Sequence, residues 1–178
     1  MSVTQEWDVA TEDGFLTCYR ATFREIYGYA GLLAGHDRAA AEDLVHDVYT
    51  HTLHRARRGE MEAVSYGYLR TAVRHRWIDR WRSAERERAR LGRAAAGTGV
   101  GAGAGAGTAW PVEAEHDVAD MLADLPERER TVMVLRYVDD LTMAAIGERL
   151  GVSESTIDGL IRRALQRLRL TQEGADHA

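Results

Sequence analysis

The sequence predicts an all-α protein of two small helical domains, an N-terminal helical bundle and a C-terminal helix-turn-helix domain, joined by a flexible Gly/Ala linker. Three observations carry that expectation. Apolar residues recur at helical spacing on both sides of the chain's middle, and no strand-like alternation competes with them. Glycine stands at 97, 99, 101, 103, 105 and 107 in a stretch without charge, which has almost nothing to bury. Gly151-Val152-Ser153 makes a three-residue turn of the kind that joins the two helices of a helix-turn-helix. A length of 178 residues suits one medium domain or two small ones. The expected divisions are a tail over 1–14, a domain over 15–93, a linker over 94–112, a second domain over 113–171 and a tail over 172–178.

Taken in order, Phe15 to Leu33, Arg38 to His54 and Val64 to about Leu91 read as three helices, with breaks at Gly35 and around Gly59. The second places Ala41, Leu44, Val45, Val48 and Leu53 on a broad apolar stripe and Asp43, Asp47, Thr50 and His54 on another face. The third interleaves Arg70, Arg74, Arg76, Arg80 and Arg82 with Tyr68, Trp77 and Trp81. That pattern suits opened DNA, since arginine tracks the backbone and exposed aromatic faces stack on unpaired bases at about 1 to 3 kcal/mol each. Leu69, Ala72, Val73 and one of the two tryptophans must nonetheless face a core. Beyond the linker, Pro126 suits the first turn of a helix, and Thr142 caps Met143 to Leu150. Gly151 then ends that helix in the left-handed conformation. Ser153 caps the next, where Ile157, Leu160, Ile161, Leu165 and Leu168 recur at helical spacing. Such a second helix lies in a major groove when the motif binds DNA, whereas the bland account is a helical hairpin packed into a core. The linker spans roughly 25 Å as a random coil and about 60 Å when extended, so two modules so joined reach separated sites on one ligand.

A net charge of -5 looks wrong for a DNA-binding protein until it is divided along the chain. Residues 1–65 carry 6 basic and 11 acidic side chains, residues 66–95 carry 9 and 3, and residues 113–178 carry 8 and 14. Only the middle block is strongly positive. All 23 basic residues are arginine, which suits forked contacts to phosphate or guanine and equally reflects the codon bias of a GC-rich genome. A single cysteine, Cys18, excludes an internal disulfide. Nothing near the N-terminus resembles a secretion signal, and no apolar run approaches bilayer length, so no membrane insertion and a cytoplasmic location are expected. Catalysis has no anchor, for there is neither a Gly-rich phosphate loop nor a nucleophile elbow. A metal site on His46, His51 and His54 with Asp43 or Asp47 is the one enzymatic alternative, and its spacing is poor. No enzyme activity, no metal and no cofactor are therefore expected.

Together these features resemble a sigma factor of the extracytoplasmic-function (ECF) group, in the sigma-70 superfamily. The resemblance runs through AEDLVHDVY at 41–49, YLRTAVRHRWIDRWR at 68–82, DLPERERTVMVLRYVDDLT at 124–142 and AAIGERLGVSESTI at 144–157. It implies a factor that binds core RNA polymerase, through the clamp and flap regions, and directs promoter recognition and strand opening. Asp43, Leu44, Asp47 and Val48 become the implied polymerase-docking residues. Arg70, Arg74, His75, Arg76, Trp77, Arg80, Trp81 and Arg82 become the implied contacts to the opened non-template strand of the minus-ten element, where a base is turned out of the stack. Ser153, Ser155, Thr156, Asp158, Arg162 and Arg163 become the implied contacts to duplex DNA at the minus-thirty-five element. An anti-sigma factor is an implied partner.

The chain departs from the family pattern at five positions. His75 stands where asparagine is usual, and His46 where glutamine is common. In the recognition helix Asp158, Gly159 and Leu160 replace a common lysine, serine and arginine. Asp158 repels phosphate yet can accept a hydrogen bond from cytosine. Gly159 costs the helix about 1 kcal/mol relative to alanine. The competing functional reading is a stand-alone helix-turn-helix regulator whose N-terminal helices serve dimerisation or sensing.

Overall fold

A computed structural model describes residues 5–94 and 116–175. In chain order these form β1 (Glu6–Asp8), α1 (Glu12–Ala34), α2 (Arg38–Arg57), β2 (Ala63–Ser65), α3 (Tyr66–Ala94), α4 (His116–Ala123), α5 (Glu127–Met133), α6 (Met143–Leu150) and α7 (Glu154–Ala175). Between α5 and α6 the chain widens into a π-helical turn, Val134–Val138. The architecture is all-α, as expected, with one small two-stranded sheet. The linker expected over 94–112 lies outside the described residues, except that Ala94 is the last residue of α3. None of the described helices is long and apolar enough to cross a membrane.

Contacts group the chain into two units. Unit 1 is Met1–Gly31 with Asp37–Trp77, and unit 2 is Leu32–His36 with Ile78–Ala178. The division thus falls within α1 and α3 rather than near residue 93.

Unit 1 packs α1, α2 and the first half of α3 around Ile26, Leu44, Val45, Val48, Leu69 and Val73, all buried. Each helix has a cap that the chain supplies locally. Thr11 Oγ1 accepts from the Gly14 amide (3.1 Å), Asp37 Oδ1 from Ala40 (2.9 Å) and Ser65 Oγ from Tyr68 (3.2 Å). Within the segment expected as a tail, 1–14, the strand β1 pairs antiparallel with β2 in the register Trp7 opposite Val64. Three residues per strand are too few for alternation to show in the sequence, but Trp7, Val9 and Val64 are buried and hold the strand down. The core also contains a polar chain. Thr22 donates to the Cys18 carbonyl at 2.7 Å, which leaves the Tyr49 hydroxyl to donate to Thr22 across 2.7 Å. Burial pushes both the Cys18 thiol and the Tyr49 hydroxyl to higher pKa, so both stay neutral.

Unit 2 is organised by two buried charges. Arg130, at 7 % exposure, donates to the carbonyls of Leu33 (2.9 Å), Ala34 (2.9 Å), Ala123 (3.3 Å) and Leu125 (2.8 Å). It thereby caps the C-terminus of α1, whose last carbonyls lack helical partners, with a cation at the negative end of the helix dipole. Gly35 makes this possible, with φ at +65° and a missing Cβ that would stand 2.5 Å from the guanidinium carbon. Glu129, also buried, accepts from Arg167 Nε at 3.0 Å and pairs with Arg163 Nε at 3.4 Å. Around them Val132, Val134, Leu135, Ile146, Leu150, Ile157, Leu160 and Ala164 form the apolar core. Pro126 sits just before α5 rather than inside its first turn, and its carbonyl accepts from Arg130 N at 2.9 Å.

Candidate nucleic-acid interface

The helix-turn-helix has the punctuation its sequence announces. Thr142 Oγ1 accepts from Ala145 N at 3.2 Å and caps α6, and Gly151 closes it at φ +73°, its amide donating to Gly147 O at 2.8 Å. Ser153 then caps α7, accepting from the Thr156 amide at 3.3 Å. The sequence reading missed Gly147. A Cβ there would lie 2.8 Å from the Val152 carbonyl, so the turn passes so close to α6 that only glycine fits. Its signal was a glycine inside a helical pattern, which usually marks a close approach.

On α7 the buried face is Ile157, Leu160, Ile161 and Ala164, leaving Ser153, Ser155, Arg162 and Arg163 exposed and Thr156 and Asp158 half-buried. The hydroxyls of Ser153, Ser155 and Thr156 gather at its N-terminus, both Ser155 Oγ and Thr156 Oγ1 lying 2.9 Å from Ser153 Oγ. Such a cluster, at the positive end of a helix dipole, suits a phosphate oxygen. Asp158 Oδ2 pairs with Arg162 Nη2 at 2.7 Å. Leu160 changes meaning in the structure. It is 2 % exposed and packs in the core, so it presents nothing to DNA from this helix.

The N-terminal candidates divide differently. Asp43 and Asp47 are exposed on α2 together with His46, whereas Leu44 and Val48 are core residues at 0 % and 1 % exposure. An apolar docking margin at Leu44 and Val48 is therefore corrected, because the stripe that the sequence places beside the acids is what holds α2 in its bundle. Asp47 Oδ2 lies 3.5 Å from Arg76 Nη1. Among the described residues no three His, Cys, Asp or Glu side chains are grouped to hold a metal ion.

Along α3, His75, Arg80 and Arg82 are exposed, while Arg70, Arg74 and Arg76 are half-buried. The Arg70 guanidinium sits 4.7 Å from the centre of the Tyr29 ring, and Arg74 Nη2 reaches Thr71 Oγ1 at 3.5 Å. Arg82 donates to the Arg149 carbonyl at 2.6 Å and to that of Glu148 at 3.3 Å, capping the C-terminus of α6. The expectation of stacking tryptophans needs correction. Trp77 and Trp81 are both buried, at 6 % and 1 %, and the Arg128 guanidinium covers Trp81 at 5.5 Å. Neither indole offers a face to a base in this conformation, because two large apolar rings gain more from burial than a surface helix gains by displaying them.

Residues 121–170 match the family described as Sigma-70, region 4. That stretch of the C-terminal domain is similar to a sigma-70 region 4. The RNA polymerase sigma factor SigF of Mycobacterium tuberculosis is 43% identical across 58 residues, which are 33% of this chain and 22% of that protein. The ECF RNA polymerase sigma factor SigW of Bacillus subtilis is 34% identical across 58 residues, 33% of this chain and 31% of that protein. These matches thus span between about a fifth and a third of the relatives' length. A co-crystal structure of the sigma factor RpoE with the anti-sigma factor NepR from Bartonella quintana is a distant likeness, with 20% identity and a TM-score of 0.47 over 92% of this chain and 98% of that chain. Region 4 here begins inside α4 and takes in α5, the π-helical turn, α6 and most of α7. The buried pair Glu129 and Arg130 lies within it.

Proposed function

We propose that this protein is a transcription initiation factor that binds core RNA polymerase and directs it to promoters, with no catalytic activity of its own. The observation that carries the proposal is region 4 itself, a helix-turn-helix whose second helix exposes hydroxyls and arginines on the side opposite its core. In this reading the N-terminal of α7 meets the minus-thirty-five element. Asp43 and Asp47 on α2 dock on the clamp of the polymerase, and the positive block of α3 engages the minus-ten element as it opens. Of the α3 residues, His75, Arg80 and Arg82 are the accessible contacts, and Trp77 and Trp81 shape the helix from beneath. Arg82 must leave the Arg149 and Glu148 carbonyls to reach DNA. An anti-sigma protein that covers the same acidic and basic surfaces belongs to this reading, as does a cytoplasmic site of action.

The test is transcription in vitro with purified core polymerase on promoter-bearing templates. Start-site selection that depends on this chain is the expected result, and its absence would end the proposal. Reversing charge at Asp43 and Asp47 together should abolish association with core polymerase while circular dichroism stays unchanged. A stand-alone regulator would be unaffected by that pair of changes, since it has no need of the polymerase.

A further inference from the structure

Region 4 in this chain carries an acid in the second turn of its recognition helix, and the structure gives that acid a task. Asp158 and Arg162 are one turn apart on α7, with Asp158 Oδ2 at 2.7 Å from Arg162 Nη2 and side-chain exposures of 47% and 73%. An acid four residues before a base is the favourable order for such a pair. The next arginine is drawn elsewhere. Arg163 pairs with buried Glu129 at 3.4 Å. Two adjacent arginines thus have separate anchors, and the one on the outer face, Arg162, is steadied by a residue of the same helix.

We infer that Asp158 is a positioning residue that aims Arg162 at a guanine in the major groove, making Arg162 the specificity-determining contact of this region 4. The inference rests on the reading that region 4 binds promoter duplex. A guanidinium has five donors in a rigid fork, so an acid that takes Nη2 leaves donors for the O6 and N7 acceptors of guanine. Fixing the fork beforehand lowers the entropy lost when it docks, and makes a displaced or wrong base cost more. The hydroxyls of Ser153, Ser155 and Thr156 lie at the start of the same helix, where phosphate contacts set the register that brings Arg162 to one base pair.

The test uses the full chain assembled with core polymerase and a pool of duplexes carrying a randomised segment, scored by the bases enriched at each position. Wild type is expected to enrich guanine at one position. Asp158→Ala and Asp158→Asn should lower that preference by about fivefold or more while binding the unselected pool as well or better, since a negative charge has gone. Arg162→Ala should lose the same position, the double variant should lose no more than either single one, and Asp158→Glu should keep the preference. Circular dichroism is expected to be unchanged throughout. If Asp158→Ala tightens binding to every duplex and leaves the preference intact, the acid only repels phosphate and the inference is overturned. If it instead erases a preference for cytosine that Arg162→Ala leaves alone, Asp158 reads the base itself and the inference is equally overturned. A wild-type complex that selects no sequence at all would overturn the promoter-binding reading, and this inference with it.

Discussion

Arg130 and Gly35 show how much a single side chain can decide. A guanidinium buried with four carbonyl acceptors is stable only because each donor is satisfied in a dry setting, and removal leaves those acceptors orphaned. Arg130→Ala is expected to destabilise the protein by at least about 3 kcal/mol, read from the urea midpoint. Arg130→Lys should recover only part of this, because an ammonium lacks the fork. Gly35→Ala meets two penalties, a left-handed backbone and a Cβ 2.5 Å from the guanidinium, so a loss above about 2 kcal/mol is expected. Gly59 is the natural control. It has φ +70° with nothing within 4 Å, and Gly59→Ala should cost only the backbone part, about 1 kcal/mol. Equal losses at the two glycines would show that the Arg130 contact is unimportant.

Elements here are held by parts remote from the segment that names them. The strand β1 is three residues long and owes its place to Trp7 and Val9, which are buried, rather than to its two-stranded pairing, which alone is marginal. Trp7→Ala should therefore cost about 3 kcal/mol of stability in urea. A value near zero would mean that β1 frays freely. In the helix-turn-helix, the close approach at Gly147 sets the relation of α6 to α7, since its absent Cβ would be 2.8 Å from the Val152 carbonyl. Gly147→Ala is expected to weaken binding to promoter duplex more than tenfold in a gel-shift titration, more than Thr142→Ala, which loses one cap worth about 1 kcal/mol. The reverse order would show that helix stability matters here more than the geometry of the turn.

At the scale of the whole molecule, contact units and chain segments do not coincide. Unit 2 takes in Leu32–His36 and the second half of α3 as well as region 4, because Arg130, Trp81 with Arg128, and Arg82 all find partners across that sequence distance. A fragment covering 113–178 alone lacks the Leu33 and Ala34 carbonyls and the Trp81 ring. It is expected to unfold at a lower urea concentration than region 4 does within the full chain, followed by amide exchange at Leu135 and Ile146. Identical protection in both would mean that region 4 is stable without those partners. In the full chain, Arg74→Ala with Arg80→Ala should reduce permanganate reactivity of the transcription bubble more than it reduces duplex binding. An unaltered bubble would remove α3 from strand opening.

Much of this protein was legible in its residues. Helical class, the tight turn at Gly151, the caps at Thr142 and Ser153 and the positive block of α3 follow from periodicity and local hydrogen-bond chemistry, which act over a few residues and leave a local trace. The bounds were close as well, with α1 starting three residues before Phe15 and α2 running three beyond His54. What periodicity cannot report is which of two apolar or basic neighbours wins a place in the core. Burial decided that for Trp77 and Trp81, of which the sequence requires only one to face the core, and for Leu44 and Val48, which the resemblance also offered as docking residues; all four are buried. Buried charge was equally hidden, since nothing in the residues beside Glu129 and Arg130 marks these two for the core. The amino-acid order alone determined the helices and their punctuation. Only the tertiary structure, through long-range competition for desolvation, assigned each arginine and each ring to the core, to a helix end or to the open face of α7.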